Sequence, residues 1–299
     1  MKIAVAGASG RIGREVADVL KNQGHEVVAI ARATGVDVYT GEGLAEALTG
    51  VQVVVDAVNA PTAETDAVTD FFGTTARNLQ QAAAEAGVTR IVLVSIIGID
   101  PFTAGHYAGK LVQERTMNEG PVPVQILRAA QFHEFTEMML DWTTRDDVAY
   151  VPATRTQLVA ARTVAEKLAE LATDVTAPTT TIEIAGPEEL NLAAATSRLA
   201  ARRGTPSRVE EITDLEDPNH ELQANGALLP GPDAVLAGPT FAEWLDQHYP
   251  ARQSRSGRRH VPDGLEQVLS ARMERQYILD QSRSRVDQLN GTRPGNRWS

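Results

Sequence analysis

The chain has no cysteine among its 299 residues, so disulfide bonds, thiolate nucleophiles and cysteine-based zinc sites are excluded. Aromatic residues are scarce, at 5%. No apolar run approaches the roughly 20 residues that a membrane-spanning helix needs. The start of the chain, one lysine followed by an apolar segment, does not have the pattern of a secretory signal peptide. We therefore expect a cytoplasmic protein that does not enter a membrane.

Positively charged residues are also few relative to acidic ones, with 28 Lys and Arg against 39 Asp and Glu, so the net charge is −11. The last 49 residues are the exception: they hold ten arginines and five acidic residues, a net +5, which leaves −16 for residues 1–250. The strong negative charge of residues 1–250 argues against nucleic acid as the main partner. We expect residues 251–299 to form a basic tail, either helical or disordered, outside the folded part of the chain.

The most informative segment lies near the N-terminus. An apolar run over residues 3–6 is followed by glycines at positions 7, 10 and 13, and then by apolar residues at helical spacing. This pattern predicts a strand, a tight turn and a helix whose N-terminus can face a pyrophosphate. The G-x-x-G-x-x-G spacing differs from the G-x-G-x-x-G of many dehydrogenases. The predicted cofactor loop comprises Gly7, Ala8, Ser9, Gly10, Arg11, Ile12 and Gly13.

Apolar strand patterns and helical patterns alternate through the first half of the chain, and residues 36–39 read as one of the short strands. Such alternation predicts an α/β fold of Rossmann type, with a doubly wound parallel sheet. We expect a nucleotide-binding core over residues 1–128 and a small substrate-side lobe over residues 129–250, interleaved with the core.

Cofactor choice is predicted from the residue that follows the second strand. Arg32 stands there, where an acidic residue would bind the ribose 2′-hydroxyl of NAD and an arginine accommodates the 2′-phosphate of NADP. NADP is therefore favoured, with NAD as the alternative. We expect Asp37 to lie near the adenine, and Val58 and Asn59 to lie near the adenine ribose.

Several motifs together resemble the atypical short-chain dehydrogenase/reductase superfamily and, within it, the NmrA-like NAD(P)H-binding group. Besides the glycine loop and Arg32, they are Val-Ser-Ile-Ile-Gly at 94–98, His-Tyr-Ala-Gly-Lys at 106–110, Ile-Leu-Arg-Ala-Ala-Gln-Phe-His-Glu-Phe at 126–135, Ala-Gly-Pro-Glu-Glu at 185–189 and Leu-Pro-Gly-Pro-Asp at 229–233. The resemblance covers about residues 1–250.

The resemblance implies a catalytic Ser, Tyr and Lys, with Tyr four residues before Lys. Ser95 and Lys110 fit this pattern, and Lys110 would also hold the nicotinamide ribose. However, the position four before Lys110 is His106, while Tyr107 is three before it. Three interpretations stay open: His106 or Tyr107 is the proton donor, the donor lies elsewhere with His133 as a candidate, or the protein binds cofactor without turnover.

The expected activity is hydride transfer from NADPH to a small carbonyl or related compound. The alternative is a catalytically silent, redox-sensing NAD(P)-binding regulator with a protein partner. No metal site is expected, because His133 and Glu134 lack a second histidine at zinc-binding spacing. For Glu134, helix capping is the favoured role.

Overall fold

The structure is a computed structural model that describes residues 1–62, 64–174, 176 and 179–250. The predicted basic tail, residues 251–299, lies outside these described residues. The first half contains β1 (Lys2–Ala6), α1 (Arg11–Asn22), β2 (Glu26–Ile30), α2 (Leu44–Ala47), β3 (Val53–Asp56), α3 (Thr65–Glu85), β4 (Arg90–Ile96), α4 (Gly105–Glu119) and β5 (Val124–Ala129). A 3₁₀ turn, Arg32–Thr34, follows β2.

The second half adds shorter elements. They are α5 (Phe135–Thr143), β6 (Thr144–Arg145), β7 (Val148–Pro152), β8 (Arg155–Thr156), α6 (Ala161–Thr173), β9 (Thr181–Ala185), β10 (Leu190–Asn191), α7 (Leu192–Arg203), β11 (Arg208–Ile212), α8 (His220–Ala224), β12 (Val235–Leu236) and α9 (Phe241–His248). Within the described residues, none of these helices is long and apolar enough to cross a membrane.

Seven strands form one parallel sheet in the order β12-β9-β5-β4-β3-β1-β2. The central strands are buried on both faces, and they are therefore almost continuously apolar. The predicted doubly wound α/β fold is confirmed. Strands β9 and β12 come from residues beyond 128 and join the same sheet, while β6, β7 and β11 form a separate three-stranded sheet.

Helices cover both faces of the sheet. Helices α1 and α6 pack together over one apolar core, and α3 and α4 pack together over the other. Because side chains alternate along a strand, Ile91 and Leu93 of β4 point toward the α3–α4 side, and Ser95 points the same way. This alternation decides which helix can meet Ser95.

The predicted strand over residues 36–39 is wrong. This segment is a turn, in which Asp37 Oδ1 accepts hydrogen bonds from the backbone N–H groups of Tyr39 at 2.8 Å and Thr40 at 3.4 Å. An aspartate that binds the backbone two residues ahead competes with strand pairing. Gly35 and Gly41, both with positive φ, flank the turn.

Candidate functional site

The glycine loop forms a very close turn between β1 and α1. Gly7 has φ +77°, and a Cβ there would lie 2.4 Å from the carbonyl oxygen of Ala57. A Cβ on Gly13 would lie 2.2 Å from the carbonyl oxygen of Gly7. Both positions therefore require glycine.

The N-terminus of α1 is open to a ligand. Its N-cap, Gly10, has no side chain to cap the helix, and the first turn holds no acidic residue. The first backbone N–H groups of a helix have no partner within the helix, and together with the helix dipole they favour an anion. This end of α1 can therefore take a phosphate group.

A cavity of about 470 Å³ opens from this turn along the carboxyl edge of the sheet. It includes seven of the predicted cofactor residues, namely Gly7, Ser9, Gly10, Arg32, Asp37, Val58 and Asn59. Arg32 is exposed, and among the described residues its guanidinium makes no hydrogen bond or ion pair. The cavity wall therefore contains both the turn that can take a phosphate group and an arginine whose guanidinium has no partner among the described residues.

The remaining predicted cofactor residues lie off the cavity wall. Ala8, Ile12 and Gly13 are buried in the turn, and Arg11 turns away to pair with Glu137 of α5 at 3.3 Å. Ser95 and Lys110 lie further along the sheet edge.

An aromatic pair that was not predicted closes one side of the cavity. Tyr39 stacks on Phe71 with ring centroids 5.6 Å apart, and its hydroxyl donates to Asp70 Oδ2 at 2.6 Å. Asn78 Nδ2 holds the turn onto α3 by donating to the carbonyl oxygens of Val38 and Tyr39. These contacts join segments about thirty to forty residues apart, so no local pattern could indicate them.

Ser95 lies near the end of β4, on the sheet face that carries α4. Its side chain is 2% exposed, and its Oγ has no hydrogen-bond partner among the described residues. Buried hydroxyls in native proteins are nearly always paired. Ser95 is therefore available to a group that binds at this edge of the sheet.

The two candidate acids at the start of α4 have different surroundings. The His106 ring packs edge-on against Phe72, with centroids 5.4 Å apart, and burial together with the Lys110 charge lowers the pKa of His106 to about 4. The Tyr107 ring packs against Phe102, with centroids 4.6 Å apart. Burial and then the Asp217 carboxylate raise the pKa of Tyr107 to about 12, while the nearby Gln131 side chain opposes the shift.

Lys110 belongs to a buried polar chain. Its Nζ donates to the carbonyl oxygen of Val94 at 2.7 Å and to Gln113 Oε1, and Gln113 Nε2 donates to Asp56 Oδ2 at 2.8 Å. Lys110, Gln113 and Asp56 are 4%, 0% and 1% exposed. Burial lowers the pKa of Lys110 to about 8, although the Asp56 and Glu114 carboxylates oppose the shift.

Sequence reasoning missed Asp56 and Gln113. A usable signal was present for Asp56, because it is an acidic residue that directly ends the apolar run Val53-Val54-Val55. Such a carboxylate must find a partner when the strand is buried. Asp56 Oδ1 also accepts from the backbone N–H of Val58 at 3.0 Å. Because Val58 lines the cavity, this bond connects the buried polar chain to the cavity wall.

His133 lies away from the other candidates, inside an aromatic cluster with Phe241 and Trp244. It is 0% exposed, and its Nε2 donates to the carbonyl oxygen of Pro239 at 3.1 Å. Burial lowers its pKa to about 4. The neighbouring Glu134 accepts from the backbone N–H of Ala161 and thereby caps α6, as expected.

The described residues contain no cluster of three or more His, Asp or Glu side chains that could hold a metal ion. The site is instead a glycine turn, an open helix N-terminus and a cavity at the carboxyl edge of a parallel sheet. This is the arrangement of Rossmann-type dinucleotide-binding proteins, which bind their ligands at that edge.

The chain belongs to the NAD(P)H-binding family, whose profile matches residues 7–174. This match confirms the family expected from the sequence motifs. No curated protein matches the chain significantly. The described residues fit the cofactor, because the uncapped N-terminus of α1, with no acidic residue in its first turn, begins at Gly10 in the cavity wall.

Solved structures with the same fold include oxidoreductases and a sugar epimerase. The NADPH complex of quinone oxidoreductase QOR2 from Escherichia coli has a TM-score of 0.61 and 17% identity, covering 82% of this chain and 99% of that chain. Triphenylmethane reductase from Citrobacter sp. has a TM-score of 0.62 and 17% identity, covering 83% and 99%. A nucleoside-diphosphate-sugar epimerase from Staphylococcus aureus has a TM-score of 0.64 and 15% identity, covering 82% and 99%. At these identities the likeness shows the fold alone.

Proposed function

We propose that the protein is a cytoplasmic reductase that uses NADPH to reduce a small, uncharged carbonyl compound. The observation that carries the proposal is the buried, unpartnered hydroxyl of Ser95, on the sheet face that also carries Tyr107 and Lys110. A hydroxyl without a partner can orient a carbonyl oxygen. Tyr107 holds a proton at neutral pH, and Lys110, three residues later on α4, supplies positive charge.

The cofactor would be held at two places. The backbone N–H groups at the start of α1 would bind the diphosphate, and the free guanidinium of Arg32 would bind the 2′-phosphate. When bound, NADPH supplies a hydride and leaves as NADP⁺. Lys110 would approach the ribose with the one Nζ–H that Val94 and Gln113 do not use.

Tyr107 is the proton donor that the geometry supports best. At neutral pH His106 and His133 are neutral, because burial lowers both pKa values to about 4. His133 also donates its ring N–H to Pro239. In the proposed step the carbonyl carbon gains the hydride and the carbonyl oxygen gains the phenolic proton of Tyr107, so that C=O becomes CH–OH. Water then reprotonates the phenolate.

The charge around Tyr107 favours an uncharged substrate. Asp217 lies close enough to raise the pKa of Tyr107. The positive charge of Lys110 is offset by Asp56 and Glu114. A carboxylate on the substrate would therefore meet repulsion from Asp217 and find no free cation beside Tyr107 among the described residues. Ketones, aldehydes and quinones fit this environment better than oxo acids do.

The activity is tested by following NADPH oxidation with benzaldehyde, cyclohexanone and 1,4-naphthoquinone. Tyr107→Phe should lower kcat by about 100-fold or more, since general acids contribute about 10²–10⁴-fold. His106→Ala should change kcat much less, and neither variant should weaken NADPH binding strongly. Full activity in Tyr107→Phe would reject Tyr107 as the donor.

Cofactor preference has a separate test. In fluorescence titrations NADPH should bind more tightly than NADH, and Arg32→Ala should remove the difference. Arg115→Ala is the matched control, because Arg115 is exposed on α4 and is not part of the cavity wall. Equal affinities for the two cofactors in the unmodified protein would reject the role of Arg32.

A second candidate function is a regulator that binds NAD(P) without turnover and responds through a protein partner. The hydrogen bonds of Lys110 favour this regulator, because Lys110 is 4% exposed and two of its three N–H donors already bind Val94 and Gln113. Tight NADPH binding without oxidation by any of the three carbonyl probes would favour the regulator over the reductase.

A further inference from the structure

Gln131 presents a buried donor at the carboxyl end of β5. It follows β5 by two residues, and its Oε1 accepts a hydrogen bond from Thr156 Oγ1 at 2.6 Å. Thr156 is itself 0% exposed. The hydroxyl therefore fixes the amide with Nε2 as its free end. That Nε2 is buried and has no partner among the described residues.

The Gln131 side chain lies near the proposed proton donor. It is close enough to Tyr107 to oppose the rise in the phenol pKa. Ser95, another buried polar group without a partner among the described residues, lies in β4, which pairs directly with β5. Two such groups, one near the end of β4 and one just after β5, are unusual at one edge of a sheet, because buried polar groups are nearly always paired.

We infer that Gln131 Nε2 donates a hydrogen bond to the carbonyl oxygen of the substrate alongside Tyr107, and that Thr156 is the positioning residue that orients the amide. The inference rests on the proposed reductase function. A carbonyl oxygen has two lone pairs, so it can accept from the phenol and from the amide together. Negative charge grows on that oxygen as the hydride arrives, and a fixed N–H donor stabilises it.

Three variants separate this role from a structural one. Gln131→Leu removes the donor and keeps the approximate side-chain size. Thr156→Val keeps the shape and removes the hydroxyl that orients the amide. Thr196→Val is the matched control, because Thr196 is also 0% exposed but donates to Leu192 within α7.

The first measurement needs no turnover. Benzaldehyde and 1,4-naphthoquinone are added in parallel to the NADP⁺ complex, and infrared difference spectra record the carbonyl stretch, which falls in frequency as hydrogen bonds to the oxygen strengthen. Gln131→Leu should raise the frequency above that of the unmodified protein, Thr156→Val should give an intermediate value, and Thr196→Val should not change it.

The second measurement is steady-state reduction of the same probes. Gln131→Leu should lower kcat/KM by about 100-fold, the effect of losing one donor to a developing oxyanion. NADPH affinity should stay the same, and thermal unfolding should show that each variant is folded.

The outcomes distinguish the two claims. If the unmodified protein reduces a probe but Gln131→Leu matches it in both stretch and kcat/KM, the role of Gln131 is wrong and the reductase function stands. If neither probe binds the NADP⁺ complex of the unmodified protein and none is reduced, both claims fail.

Discussion

Gly13→Ala should weaken cofactor binding more than it weakens the fold. A Cβ at this position would lie 2.2 Å from the Gly7 carbonyl oxygen, 2.7 Å from the Gly7 carbonyl carbon and 2.8 Å from Ala8 Cα. All three are backbone atoms, so no side chain can rotate away. Ordinary contact begins at 3.4 Å, and the turn must therefore retreat by about 1 Å.

Two opposing terms set the stability change. Overpacking of this kind costs about 1–3 kcal/mol. Replacing a helical glycine with alanine stabilises a helix by about 1 kcal/mol. The net loss of unfolding free energy should therefore be no more than about 2 kcal/mol, and the variant should fold.

Cofactor affinity should fall further, because the displaced turn carries the N–H groups proposed to bind the diphosphate. Losing one hydrogen bond to a charged group costs about 1.5–3 kcal/mol, which corresponds to an increase in Kd of about 10- to 100-fold. Fluorescence titration with NADPH measures Kd, and urea denaturation measures stability.

Gly73→Ala is the matched control. Gly73 is also helical, but a Cβ there would meet only side-chain atoms, Val112 Cγ1 at 3.3 Å and Arg77 Nη1 at 3.4 Å. Its NADPH affinity should not change. Equal NADPH affinity in Gly13→Ala and Gly73→Ala would contradict this prediction, because the turn would then tolerate a displacement of about 1 Å without losing a phosphate contact.

Two further predictions concern buried titratable groups. Asp56→Asn removes a carboxylate that opposes the lowering of the Lys110 pKa, so the alkaline fall in kcat/KM should move to lower pH, and an unchanged pH profile would contradict a role for charged Lys110. His133 has its pKa lowered from 6.5 to about 4, so the folded protein binds fewer protons than the unfolded chain between these values. The contribution of His133 to the unfolding free energy is fully present above about pH 6.5. It is lost as the pH falls and has decreased by about 2 kcal/mol at about pH 5. Urea unfolding should show that His133→Gln loses less stability between about pH 7 and about pH 5 than the unmodified protein does, and equal losses would reject this assignment.

Local patterns predicted the part of the site that is built locally. The strand, turn and helix around Gly7 and Gly13 are contiguous, so the alternation of apolar residues and the glycine spacing indicate them directly. The exposed Arg32 follows from its place at the end of β2. The error over residues 36–39 has the opposite cause, since one side chain, Asp37, redirected the backbone in a segment whose apolar pattern suits a strand.

The chemical half of the site depends on contacts between distant segments. Thr156 lies 25 residues after Gln131, and Gln113 lies 57 residues after Asp56. Neither separation matches a helix or strand period. Polar residues at strand ends indicate only that the carboxyl edge is functional. Which side chains meet there is decided by how α4 and β8 pack against that edge.

The tyrosine on α4 stands three residues before Lys110 instead of four, and this difference has a structural consequence. On a helix, adjacent residues differ by about 100° in direction, so Tyr107 and His106 cannot point the same way. His106 faces Phe72 of α3, whereas Tyr107 faces Phe102 and the cluster that includes Leu228. The segment after β11 supplies Leu228 of that cluster and also the nearby Asp217 carboxylate. Residues far along the chain therefore set the polarity around the phenol, and substitutions there should alter substrate choice while leaving the glycine turn and the cofactor cavity intact.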